Sequence, residues 1–191
     1  MNRRLFLATP LLLSACGLAE RPYAQRRDWP LLVPRPTILP APTHGPILEM
    51  RTLAAGPGME QRGLQTIQPD GSIRTAFYDE WSTPPAEATQ SALRLWLADS
   101  GLFSAVITQG SRLTADLSLE GELNALWTTP THAHAALNIV LIDRRPASAR
   151  VVVQQDMTAD VPLGDKTVPG SVKAQIAALS AVFQQIEDAV K

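Results

Sequence analysis

The chain has 191 residues, with 17 basic and 18 acidic side chains and a formal net charge of −1. That balance shows no basic surplus of the kind that marks a nucleic-acid partner. A single cysteine excludes an intramolecular disulfide framework, so the fold must rest on an apolar core, for which 45% hydrophobic residues suffice.

Arg3 and Arg4 open a short basic region, and an apolar stretch from Leu5 to Leu13 follows, broken only by Thr9 and Pro10. Then comes Leu13-Ser14-Ala15-Cys16-Gly17. Charge, a short apolar run and small residues form the layout of a secretory signal. The run is too short to span a bilayer, which needs about 20 residues. Leu-Ser-Ala-Cys resembles the bacterial lipobox. The resemblance implies cleavage after Ala15, a diacylglycerol on the Cys16 thiol and acylation of the new amino group. Each buried lipid CH₂ contributes about 0.8 kcal/mol, so one chain binds marginally and several anchor stably. An incidental free thiol is the alternative, but Cys16 is the sole cysteine and occupies the lipobox position. Removal of residues 1–15, with Arg3 and Arg4, leaves 176 residues carrying 15 basic and 18 acidic groups, a formal net of −3. No later stretch is long and apolar enough for a membrane span.

Residues 17–46 hold seven of the sixteen prolines. Such density disfavours helix and sheet and favours extended chain. Residues 16–46 are therefore expected to form a lipidated tether, with residues 1–15 as the signal and 47–191 as the folded domain. Tyr23, Trp29, Leu31, Leu32 and Val33 are apolar enough to dock on the domain or a partner.

The domain is expected to begin with a strand from Ile47 to Leu53, closed by Gly56-Pro57-Gly58. Leu64–Ile67 and Ile73–Tyr78 flank Pro69-Asp70-Gly71, a hairpin signal. Thr83-Pro84-Pro85-Ala86-Glu87 reads as a helix start, with Thr83 as the cap and proline tolerated in the first turn. Ala92, Leu93, Trp96 and Leu97 form its apolar stripe, and Gly101 stands where a helix stop belongs. Leu102–Thr108 reads as the next strand. Ala115, Leu117, Leu119, Gly121, Leu123, Ala125 and Trp127 alternate with polar residues, which predicts one long strand with a single apolar face. Strands from His132 to Arg144 and Arg150 to Val161 complete an antiparallel meander. Val172, Ile176, Leu179, Phe183, Ile186 and Val190 recur at steps of four and three, one face of a final helix. The predicted class is an α/β sandwich: a mixed, largely antiparallel sheet with two main helices.

Chemistry-bearing patterns are few. His44 lies in the proline-rich segment, and His132 and His134 share a strand face. A metal site usually needs a third ligand, and none stands nearby, so a solvated strand edge is the preferred reading. There is no Gly-x-Ser-x-Gly elbow. Gly164-Asp165-Lys166-Thr167 lacks the first glycine of a phosphate loop and its spacing. Glu120 and Glu122 share a strand face and read as surface carboxylates. No catalytic, cofactor-binding or metal-binding residue is assigned; the one assigned site is lipidation at Cys16.

Gly56 to Leu64, Phe77-Tyr78-Asp79-Glu80-Trp81, Trp81-Ser82-Thr83-Pro84-Pro85-Ala86-Glu87, Ser100-Gly101-Leu102-Phe103 and Ala115 to Leu123 occur in that order. Their order and spacing resemble the ABC-type transport auxiliary lipoprotein family, the PqiC-like proteins, over roughly residues 47–190. The resemblance implies an anticodon-binding-domain-like α/β sandwich and a role rather than a reaction. Its expected partners are an MCE-domain protein and an inner-membrane ABC transporter, with a homo-oligomeric ring as one arrangement and no nucleic acid. Gly17 stands where an aspartate would retain an enterobacterial lipoprotein in the inner membrane, which favours the periplasmic face of the outer membrane, with the inner membrane as the alternative. A lipid-carrying lipoprotein is the main alternative; a periplasmic hydrolase would require a convergent polar site that the sequence does not display.

Overall fold

A computed structural model describes residues 24–147 and 149–191. Eight strands and two helices follow in the order β1 (Arg27–Trp29), β2 (Ile47–Ala55), β3 (Gly63–Ile67), β4 (Ile73–Trp81), α1 (Pro85–Ala98), β5 (Ala105–Thr108), β6 (Leu117–Thr128), β7 (His132–Asp143), β8 (Arg150–Pro162) and α2 (Val168–Ala189). The expected mixed sheet with two main helices is present.

The long strand β6 organises the sheet. One edge pairs antiparallel with β7, from Leu117 opposite Asp143 to Thr128 opposite Ala133, and β7 pairs antiparallel with β8. The other edge is shared by two strands lying end to end. β2 pairs parallel with Leu117–Leu123, and β3 pairs parallel at Trp127 and Thr128. Beyond β2 lies β5, also parallel. Beyond β3 lies β4, antiparallel through the hairpin that Pro69-Asp70-Gly71 signals, and beyond that β1, parallel to β4. The meander and the hairpin are antiparallel because short turns join them. The parallel pairings arise where the chain crosses between distant strands.

Both helices cover one face of the sheet and touch each other, Trp96 and Phe183 meeting edge to face at 5.7 Å. Ala133, Ala135, Leu137, Ile139 and Leu141 alternate into this interface along β7 and are buried. On α2, Leu179, Val182, Phe183 and Ile186 are fully buried, each stabilising the fold by about 1.5–3 kcal/mol on area grounds. Thr167 caps α2 by accepting from the Gly170 N–H at 3.1 Å. At α1 the expected Thr83 cap is replaced: Pro84 is the N-cap residue and makes no side-chain capping hydrogen bond. With Pro85 at the first helical position, one of the orphan donors is absent, so less capping is needed. The C-terminal stop lies where expected, and Gly101 adopts φ 73° after it.

Two strand expectations change. The strand expected from Leu102 begins at Ala105, because Ser104 hydrogen-bonds the carbonyls of Gly45 and Pro46. The alternation along β6 does not run through to Trp127. A register shift lies between Leu123 and Ala125; beyond it Leu126 and Thr128 pair with buried Ala135 and Ala133, and Trp127 pairs with His134 on the opposite face. The bulge, one extra residue, inverts the side-chain pattern of everything after it. It sits where β2 leaves the β6 edge and β3 takes over.

Candidate docking groove

The residues from 27 to 39 lie on the domain. Leu31 and Val33 are 5% and 6% exposed and belong to the core, whereas Leu32 between them is 66% exposed. This alternation is that of extended chain laid on an apolar surface. Arg35 then reaches α2 and holds Glu187 with two hydrogen bonds, Nε to Oε2 at 2.9 Å and Nη2 to Oε1 at 3.0 Å. It also donates to the Thr37 carbonyl. Trp96 of α1 donates its indole N–H to the same Glu187 at 2.8 Å. Leu39 donates its backbone N–H to the Asp99 carbonyl at 2.9 Å. The segment is thereby strapped to both helices.

Glu187 is buried and would be costly as an isolated charge. The Arg35 hydrogen bonds, aided by Trp96, hold its carboxyl below the ordinary glutamate range despite burial; the same bonds raise the Arg35 guanidinium. The pair is a fixed strut, its donors and acceptors matched.

Between this strap and α1 runs an apolar groove of about 570 Å³. Leu31, Val33, Ala88, Ala92 and Trp96 line it, with Ser82, Thr83, Ser91 and Asp99 as its polar margin. Leu32 and Leu95, 66% and 53% exposed, flank it. Large apolar side chains left in water beside a concave apolar surface mark a place for a ligand or a partner. Two signals for the groove are legible in the sequence: Leu95, an apolar residue off the Ala92, Leu93, Trp96, Leu97 stripe, and the apolar run Leu31–Val33 expected to dock. The strap's contribution had no periodic signature in a proline-rich run.

The remaining candidates are dispersed. Cys16 lies outside the described residues. His132 is exposed, its Nδ1 2.9 Å from the Thr131 hydroxyl. His134 stacks on Trp127 at 5.5 Å and pairs with Asp160 at 2.9 Å. Glu120 lies 3.8 Å from Arg51 on the sheet face away from the helices. The Gly164–Thr167 loop is the α2 cap, where Asp165 accepts from the Thr167 N–H at 2.8 Å. Among the described residues no three His, Cys, Asp or Glu side chains converge on a common point, and no helix is long and apolar enough to cross a membrane.

Comparison with known proteins points the same way as this architecture. The family model described as "ABC-type transport auxiliary lipoprotein component" matches residues 30–187, a span that takes in the strap from Pro30 onward. A Xanthomonas campestris protein of family DUF330 superposes with a TM-score of 0.66 at 18% identity, over 81% of this chain and 87% of that one. A second, uncharacterised structure gives 0.65 at 12% identity, over 78% and 95%. A hypothetical protein from Chlamydia trachomatis gives 0.53 at 10% identity, over 77% and 98%. At these identities the structural likeness shows the fold alone. No curated protein matches the sequence.

Proposed function

The chain belongs to the family of ABC-type transport auxiliary lipoprotein components, and from that premise we propose that it is the non-catalytic, membrane-anchored subunit of an MCE-type lipid transport system. Acyl chains on Cys16 hold it at the periplasmic face of the outer membrane. The domain then binds the far end of an MCE protein whose inner-membrane ABC transporter drives the traffic, with several copies arranged as a ring. The observation that carries the docking part is the open groove between the strap and α1, with Leu32 and Leu95 exposed beside it. Anchoring confines domain and partner to one surface, which raises their effective concentration and strengthens a modest contact.

The groove volume also falls in the range of small-molecule sites, roughly 300–1,000 Å³, which keeps a lipid-carrying role as a second reading. Crosslinking cells that express the tagged protein, solubilising the envelope and identifying what is captured tests the first reading. An MCE protein recovered with the wild type, and weakly with Cys16→Ser, supports it. Absence of any MCE or ABC subunit in both samples refutes it. Lipid extracted stoichiometrically from the purified protein would favour the carrier instead.

A further inference from the structure

The β3–β4 hairpin carries a second apolar feature, away from the groove. β4 is irregular: Glu80 stands opposite Gly63 and Thr75 opposite Gln65, so the four β4 residues from Ala76 to Asp79 bulge out against the single β3 residue Leu64. The bulge holds Phe77 and Tyr78. Their rings meet edge to face at 5.0 Å although they are sequence neighbours, whose side chains would point to opposite faces of a regular strand. Phe77 is 73% exposed, Tyr78 47%, and Ile73 on the same strand 57%. None of the three belongs to the buried core.

The course of the chain relates the feature to the anchor. β1 runs parallel to β4 with Arg27 opposite Asp79, so the residues just before Arg27 run back beside the bulge. The Arg26 guanidinium stands 5.8 Å from the centre of the Phe77 ring and also pairs with Glu80 at 3.2 Å. Ala24 is eight residues after Cys16, and eight residues reach at most about 29 Å when fully extended. Whatever surface holds the acyl chains therefore lies within that distance of Ala24, three residues before β1.

We propose that Phe77, Tyr78 and Ile73 form a membrane-interface contact that seats the domain on the phospholipid surface holding Cys16. This rests on the anchored reading of Cys16. Aromatic rings with a polar edge or a flanking cation settle at the headgroup level; Tyr78 supplies a hydroxyl, and Arg26 supplies the cation. The contact fixes which way the domain faces, so the groove is presented at a set angle to the bilayer rather than swung at random on a flexible anchor.

The test uses the full lipidated protein in vesicles of phosphatidylethanolamine and phosphatidylglycerol. Acylated Cys16 has no free thiol, so Ile73→Cys creates a single site for an environment-sensitive fluorophore. Val152→Cys on β8, at the opposite side of the sheet, is the control. The expected result is a blue-shifted emission at position 73, quenched by nitroxide-bearing lipids, with neither effect at position 152. Adding Phe77→Ser and Tyr78→Ser should abolish the shift without changing vesicle association. An aqueous spectrum at position 73 on protein that mass spectrometry shows to be acylated and vesicle-bound would overturn the contact and leave the anchor standing. Intact protein without acyl chains would overturn the anchor, and the inference with it.

Discussion

Arg35 and Glu187, 152 positions apart, join the N-terminal strap to the last turns of α2 through two hydrogen bonds of 2.9 and 3.0 Å. Trp96 donates to the same carboxylate from α1, and Lys191 stands 3.7 Å from it. Three separate segments thus meet at one buried charge, and the groove wall depends on their staying together.

Removing Arg35 takes away both guanidinium hydrogen bonds and leaves the buried carboxylate with the Trp96 N–H and the more distant Lys191 ammonium at 3.7 Å. Arg35→Ala is expected to destabilise the fold by about 3 kcal/mol, the range found when one partner of a buried pair is deleted. Glu187→Gln keeps the volume and a hydrogen-bond acceptor and should lose less. Urea denaturation of both variants at neutral pH measures the difference; equal and negligible losses would show that the strap does not contribute to stability.

The same pair gives a pH dependence of defined sign. Glu187 has a folded-state pKa below its unfolded value, chiefly through the Arg35 hydrogen bonds. Its contribution is therefore fully present above the ordinary glutamate value of 4.5 and is lost as pH falls through the lower folded value. Denaturation midpoints of the wild type should fall below pH 4.5 more steeply than those of Arg35→Ala. Parallel curves would place the acid sensitivity elsewhere.

Gln175 offers the opposite case. It is 1% exposed on α2, and neither amide atom has a hydrogen-bond partner among the described residues. An unpaired buried amide is destabilising by about 1–3 kcal/mol. Gln175→Met, close in volume, should raise stability by about 1 kcal/mol, visible as a higher urea midpoint at unchanged slope.

Gly121 lies where no side chain fits. A Cβ there would stand 2.1 Å from the Asn138 carbonyl oxygen of the paired strand β7. Gly121→Ala must push β6 and β7 apart in the middle of the sheet and should destabilise by about 1–3 kcal/mol. Hydrogen exchange along β7 is the direct reading, with faster exchange centred on Asn138.

The groove flanks separate binding from folding. Leu32→Ser with Leu95→Asp alters exposed side chains, so the thermal midpoint should hardly move. Recovery of the crosslinked transport partner should fall about tenfold if the two leucines together contribute about 1.4 kcal/mol to the contact. Undiminished recovery would move the docking surface elsewhere on the domain.

Local patterns in the sequence were enough for the elements whose physics is local. The α2 stripe from Val172 to Ile186 follows from a 3.6-residue period, the β3–β4 hairpin from Pro69-Asp70-Gly71, and the β6–β7–β8 meander from alternation and short turns. The transport-auxiliary family was likewise visible in the order of short motifs around Gly56, Trp81 and Gly101. Other features depended on contacts between distant segments. Leu31 and Val33 are core residues because α1 and the sheet offer an apolar surface to an extended chain, which no periodicity in a proline-rich run announces. Trp127 faces His134 because one extra residue near Asn124 inverts the pleat. Asn124 is unremarkable as a sequence symbol; the bulge there coincides with the place where β2 leaves the edge of β6 and β3 takes over. Arg35 finds Glu187 for the same reason: desolvation makes each intolerable alone, and only the folded chain brings them within 3 Å.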